Sequence, residues 1–402
     1  MARQVPFQGG GTRFQTLRNR RRTRPRDRYR VALTEVVMYC VLLTPNLILK
    51  RNSDPNLLWA LVQDFGLRKF HRDFSVRRRA RVPPTSLDPR SDYRFTNEQI
   101  DELCERLRLP EYIRVASKHV FHRRIALRVV LMKLATKVRF KKMIPLFNIA
   151  KGPLSEIFLE TINIIDQNWA LPLLDALHPE RFHGDIDRFV SAISRKQNAL
   201  PGVYAFMDGK FLEICRPTEH QKQFYNKYYK AHGLKFLIVV TPDGIIRLCH
   251  GPHLGKRHDA RMFRMSGLRR ELEAHFGDPF QYGDDCPKIF ADTAFPLSSY
   301  VYRGFKSHLG RFPLGDPRRI FNMEMSSVRI AVEWAIGYIT QLWAGLNSKR
   351  DMRILATPVG QLFRVATFLT NCYVCLNPNE SQIAGYFLLR PPSLEEYLAG
   401  RQ

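Results

Sequence analysis

A change of pattern near residue 200 constrains this chain more than any other feature. Residues 119–178 upstream read as helix throughout. Downstream come four short apolar runs, "VYAFM" (203–207), "LKFLIVV" (234–240), "IIRLCHG" (245–251) and "KIFA" (288–291). Their length and their β-branched and aromatic content predict strands. "TPDGI", between the second and third, has the chemistry of a tight hairpin turn. "DARMFRMSGLRRELEAHF" then reads as helix before the fourth strand, and "MSSVRIAVEWAIGYITQLWAGL" and "VGQLFRVATFLTNCYVCL" as helices after it. Hairpin-linked strands followed by strand and helix in alternation predict an α/β layer.

Two of these strands end in an acid. "YAFMDGKF" places Asp208 after the first, and "KIFADTAFP" places Asp292 after the fourth. A charge at the end of a buried strand is costly. In an open α/β sheet, sites gather where strand ends meet and the strand order reverses. If strands one and four are neighbours, the two carboxylates lie side by side and repel unless a cation stands between them. Mg²⁺ suits such a pair, since it prefers oxygen ligands and keeps waters for substrate phosphate. Two such ions about 3.5–4 Å apart can activate an attacking oxygen and stabilise a leaving one. Asp259 and Glu333 are the other candidate acids. Each acid also has a plainer reading. Asp208-Gly209 is a common turn, Asp292 can cap a helix starting near Phe295, and Asp259 can cap the helix that follows it. Glu333 lies in an apolar helix, where Arg329 four residues earlier can pair with it.

Charge narrows the partners. Lys and Arg total 64 against 37 Asp and Glu, a formal net charge of +27, which favours polyanions and nucleic acid first. Residues 1–30 read as a disordered basic arm with the composition of a nuclear-import or nucleic-acid tail. The apolar stretch 31–49 contains Glu35, Pro45 and Asn46, which fits a core helix with a break better than a membrane span, and no membrane is expected. The basic stretch 68–90 reads as a linker within an uncertain, partly helical region, 31–92. Thr96 and Gln99 form a capping-box pattern ahead of the stripe Ile100, Leu103, Leu107. "RRIALRVVLMKLATKV" predicts an amphipathic helix, basic on one side. Two helical patterns flank "NIAKGP" with the spacing of a helix-turn-helix, Gly152 in the turn and Ser155 near the start of the second helix. Arg139, Lys141, Lys142 and Lys151 are its candidate DNA contacts. The expected organisation is a helical DNA-binding domain at 93–185, a ribonuclease H-like α/β domain at 195–376 and a tail at 377–402. Seven dispersed cysteines and no apolar leader predict a reducing compartment. Cys249, His250, His253 and His258 fit no closed zinc spacing, and Cys372 and Cys375 read as buried thiols in an apolar helix.

In order, "MDGKFLEICRP", "QKQFYNKYYKAHGLKFLIVVTPDGIIRLCHGPHLGKRHDARMF", "IFADTAFP" and "SSVRIAVEWAIG" resemble the blocks of PIF/Harbinger-type DDE transposases, over residues 200 to 376. The resemblance implies a ribonuclease H-like fold, a divalent metal (Mg²⁺ or Mn²⁺), and nicking and strand transfer at transposon ends in the nucleus. It implies Asp208, Asp292 and Glu333 as catalytic acids and metal ligands, and Asp259 as a further ligand or orienting neighbour. A Myb-like accessory DNA-binding protein and a homo-oligomer on DNA are the implied partners. Lys210 stands where the family usually has a small hydroxylated residue, Phe295 where it has tyrosine, and Ile336 where it has an aromatic. The alternative is a domesticated copy that binds DNA without cutting it, as an architectural or regulatory factor.

Overall fold

The computed structural model describes residues 89–197, 200–307, 312–354 and 356–399, all within one compact unit. The basic arm, the apolar stretch 31–49 and nearly all of the basic stretch 68–90 lie outside the described residues.

Helix α1 (Asn97–Arg106) starts as its sequence predicts. Thr96 Oγ1 accepts from the Gln99 N–H at 3.3 Å, and the Gln99 amide oxygen accepts from the Thr96 N–H at 3.0 Å. A hairpin, β1 (Tyr112–Arg114) with β2 (Val120–His122), leads into α2 (Arg123–Ala135). That helix is not amphipathic in place: Ile125 to Ala135 are buried except Arg128. Even Lys133 is inside, its Nζ 2.7 Å from Asp351 and 2.9 Å from the Val138 carbonyl. Helices α3 (Phe140–Phe147) and α4 (Lys151–Ile165) are the two expected around "NIAKGP". Their connection is Asn148–Ala150, with Asn148 left-handed at φ 49°, so Gly152 lies inside α4 rather than in the turn. A π-helical turn, Asp166–Ala170, extends α4.

After α5 (Ile186–Ser194) the chain builds one mixed sheet. Its strands are β3 (Val203–Glu213), β4 (Tyr225–Asn226), β5 (Ala231–Val240) and β6 (Ile246–Leu254). Helices α6 (Asp259–Met265) and α7 (Leu268–Phe276) follow, then β7 (Lys288–Ala291) and β8 (Val301–Arg303). The order is β6-β5-β3-β7-β8, with β4 added to the start of β5. β6, β5 and β3 are antiparallel, whereas β3, β7 and β8 are parallel. A hairpin half joined to a parallel half is consistent with a ribonuclease H-like fold. Leu268, Leu272 and Phe276 of α7 join Leu237, Val239 and Ile289 in one hydrophobic core. The described residues close with α8 (Pro317–Leu342), α9 (Val359–Leu376), α10 (Gln382–Phe387) and α11 (Leu394–Ala399). Phe363 of α9 stacks on Phe236 of β5, centroids 4.2 Å apart.

Four local expectations are corrected. There is no turn at Asp208-Gly209, because β3 continues through them to Glu213, paired with β5. The helix after Asp259 breaks in two at Gly267, at φ 75°. No helix starts near Phe295; its N–H closes a turn on the Asp292 carbonyl at 3.0 Å. That turn leads towards β8, a strand the sequence did not announce. Helix α9 is long and apolar enough to cross a membrane, yet every residue but Leu376 is buried, which makes it a core helix. Within it, Cys372 and Cys375 are buried free thiols whose ionisation burial pushes up. Arg364 of α9 reaches Asp166, fully buried, through Nε at 2.7 Å and Nη2 at 2.8 Å. This bidentate pair fixes the helical block against the sheet.

Candidate active site

The site is assembled where β3 leaves the core. Val203 to Met207 are buried and Asp208 is half-buried. β7 runs parallel beside β3, with Phe206 opposite Phe290 and Met207 opposite Ala291. Asp292 follows Ala291 directly, as Asp208 follows Met207. The two carboxylates emerge from adjacent strands at the same end of the parallel pair, where such sheets carry their sites.

Asp208 is poorly compensated. Its Oδ1 accepts from the Gly209 N–H at 2.7 Å, and Arg329 Nη1 stands 3.7 Å from its Oδ2. Burial nevertheless pushes its carboxyl up to about 6, with the charges of Asp292 and Asp259 adding to the rise. Asp259 opens α6 and forms an ion pair with Lys235, a buried lysine of β5 whose Nζ also donates to the Arg257 carbonyl at 3.2 Å. Gly209 makes room for it: a Cβ there would lie 2.9 Å from Asp259 Oδ1. Glu333 is exposed on α8, and Arg329 Nη2 reaches its Oε1 at 2.8 Å. The i,i+4 pair read from the sequence is therefore present, and the same guanidinium also faces Asp208. Lys210 is half-buried, and its ammonium is made less basic by that burial. The Tyr229 phenol is pushed up by burial and by the charges of Asp259 and Asp208.

Asp208, Asp292 and Asp259 are thus brought together, and Glu333 is joined to Asp208 through Arg329. As they stand, no three His, Cys, Asp or Glu side chains among the described residues are grouped to hold a metal ion. The donor chemistry still fits a hard divalent cation, since every candidate ligand is a carboxylate oxygen and Asp208 carries an under-compensated charge. The sequence did not disclose Lys235 or the second role of Arg329. The signal for Lys235 was a lone lysine inside an apolar strand.

The remaining candidates are dispersed. Arg139 sits at the start of α3, Lys141 and Lys142 in its first turn, and Lys151 opens α4; all four are exposed. Glu156 of α4 is engaged elsewhere, accepting from the Ser117 N–H at 2.8 Å in the β1–β2 connection. Cys249 faces Thr367 at 3.7 Å, and His250 Nδ1 lies 3.5 Å from Asp175 Oδ1. His253 is buried and pushed down to about 3, first by burial and then by His250 and Arg257, while His258 is exposed.

A mixed sheet with paired acids at the ends of its parallel strands defines a class of carboxylate-bearing α/β domains. Residues 207–371 match the family model described as DDE superfamily endonuclease, which supports a DDE transposase-like family. That span contains Asp208, Asp259, Asp292 and Glu333. No curated protein matches the chain. The crystal structure of a pre-cleavage Mos1 transpososome aligns at 10% identity over 88% of this chain and 98% of that one. The TM-score of that alignment is 0.20.

Proposed function

We propose that the chain is a PIF/Harbinger-type transposase that nicks DNA at transposon ends and transfers the strand, in the nucleus. The observation that carries this reading is that Asp208 and Asp292 directly follow the last paired residues of the two parallel strands, Met207 and Ala291, with Asp208 short of positive charge. Asp208 and Asp292 would hold the divalent cation, joined by Glu333 on its release from Arg329 and flanked by Asp259. A bound Mg²⁺ or Mn²⁺ supplies a Lewis acid that polarises the phosphodiester and eases deprotonation of the attacking water. The chain's own groups do the rest. Arg329 stands beside Asp208 and Glu333, positioned to meet a phosphate, and Lys210 follows Asp208 by two residues on the same strand. The exposed Arg139, Lys141, Lys142 and Lys151 are proposed to hold the backbone, where contacts position without specifying sequence. The basic arm is proposed to direct nuclear import, and a Myb-like protein and a second copy of the chain to join it on DNA.

A second reading has its own support. Arg329 and Lys235 already pair with Glu333 and Asp259, and a chain that kept DNA binding without cutting has no need of a metal. The deciding experiment is Mg²⁺-dependent nicking of DNA carrying the ends that flank this protein's own gene. Nicking that is lost in Asp208→Asn, Asp292→Asn and Glu333→Gln supports the transposase. DNA binding without nicking supports the domesticated factor.

A further inference from the structure

Residues 214–234 carry four basic side chains, Arg216, Lys222, Lys227 and Lys230, against one acid, Glu219. All four are exposed, and none forms an ion pair with a carboxylate among the described residues. Between them the chain turns from β4 into β5. Asn226 Oδ1 accepts from the N–H groups of Tyr228 at 2.9 Å and Tyr229 at 3.2 Å, and its Nδ2 donates to the Gly255 carbonyl at 2.7 Å. The turn is thereby tied to the end of β6. Tyr229 lies flat on Phe211, centroids 4.4 Å apart and planes 7° apart. Phe211 stands on β3, three residues beyond Asp208. Tyr228 stands upright on Tyr229, 5.0 Å away at 88°, and is 86% exposed.

One exposed aromatic is ordinary. Here three rings in contact run outward from the strand that carries Asp208, end in a ring without cover, and are flanked by cations. A nucleobase can stack on that ring whatever its identity, while the lysines meet the neighbouring phosphates. A base inside a duplex is stacked on both faces, so the ring can take only a base that has left the stack. We propose that Tyr228 stacks on an unpaired nucleobase of the DNA held at the Asp208–Asp292 site; this rests on the reading of that site as a DNA-cutting centre.

The test uses the full chain and two short duplexes of the same sequence. One is fully paired, and the other has a central bubble containing 2-aminopurine. The wild type should bind the bubbled duplex about tenfold tighter and change the 2-aminopurine fluorescence, as stacking on one ring implies. Tyr228→Ala should bring that ratio close to one, and Tyr228→Phe, which keeps the ring, should restore it. A wild type without preference, or a Tyr228→Ala protein that keeps it, overturns the proposal; duplex binding and nicking in the same preparation would leave the DNA-cutting reading standing. Loss of self-association in Tyr228→Ala with an unchanged ratio also overturns it and assigns the ring to a second copy. Failure to bind either DNA overturns both readings.

Discussion

Asp208→Asn should make the metal-free protein more stable at neutral pH, although it removes a candidate catalytic residue. The carboxyl stands at about 6 in the folded chain against 3.8 when unperturbed, with burial the largest cause. A raised carboxylate is a penalty on folding. It is absent below pH 3.8, where both states are protonated, grows as pH rises towards 6, and is fully present above that. The gap corresponds to about 3 kcal/mol at pH 7.5. Asparagine keeps the shape and an oxygen for the Gly209 N–H, but carries no charge. The attraction to Arg329 that it forfeits is already counted in the net shift.

Thermal unfolding in EDTA at pH 7.5 should show Asp208→Asn melting on the order of 5 °C above wild type. At pH 4 the two should nearly coincide. Adding Mg²⁺ at about 100 times its Kd should raise the wild type by about 2.7 kcal/mol and leave the variant unmoved, bringing the two nearly level. A variant less stable than wild type at pH 7.5 without metal refutes the claim that Asp208 is an under-compensated charge. An equal gain at both pH values refutes its electrostatic origin.

Arg364→Ala should cost about 3–5 kcal/mol in urea unfolding, because it leaves Asp166 charged and fully buried, and replacing both partners with apolar residues should recover most of the loss. Arg329→Gln should lower the Mg²⁺ concentration for half-maximal nicking, since Asp208 and Glu333 no longer share a guanidinium; a higher requirement would show the arginine orienting the acids rather than competing for them. Gly255→Ala should destabilise by about 1–3 kcal/mol or more in the same urea assay, as overpacking does. Its Cβ would lie 2.2 Å from the Phe224 carbonyl oxygen and 2.5 Å from that of Gly233.

What could be read from the sequence was what neighbouring residues decide among themselves. The Thr96–Gln99 box, the hairpin at "TPDGI" and the whole of α9 follow from spacing within a single element. Asp-Gly-Lys has the chemistry of a turn, which hides the continuation of the strand through Asp208. Its continuation is imposed by eight successive pairings with β5, from Phe206 opposite Val240 to Glu213 opposite Gly233. β8 is three residues long, too short for alternation to show, and exists through its pairing with β7. Glycine suits a turn, which points to Gly152, but Asn148 tolerates the left-handed conformation and takes that place.

The same division runs through the site. Each acid announced itself by standing beside apolar neighbours, and the register of β3 with β7 then sets two of them side by side. Their cations could not be read, because Lys235 and Arg329 meet Asp259 and Asp208 only through the packing of β5 and α8. Lys235 is spent on Asp259 and Arg329 is shared between Glu333 and Asp208, so the shortfall falls on Asp208. A chain evolving only to bind DNA would be stabilised by replacing Asp208, since its charge costs about 3 kcal/mol unmet. The presence of that charge on a strand whose first half is buried is explained most simply by a ligand that neutralises it.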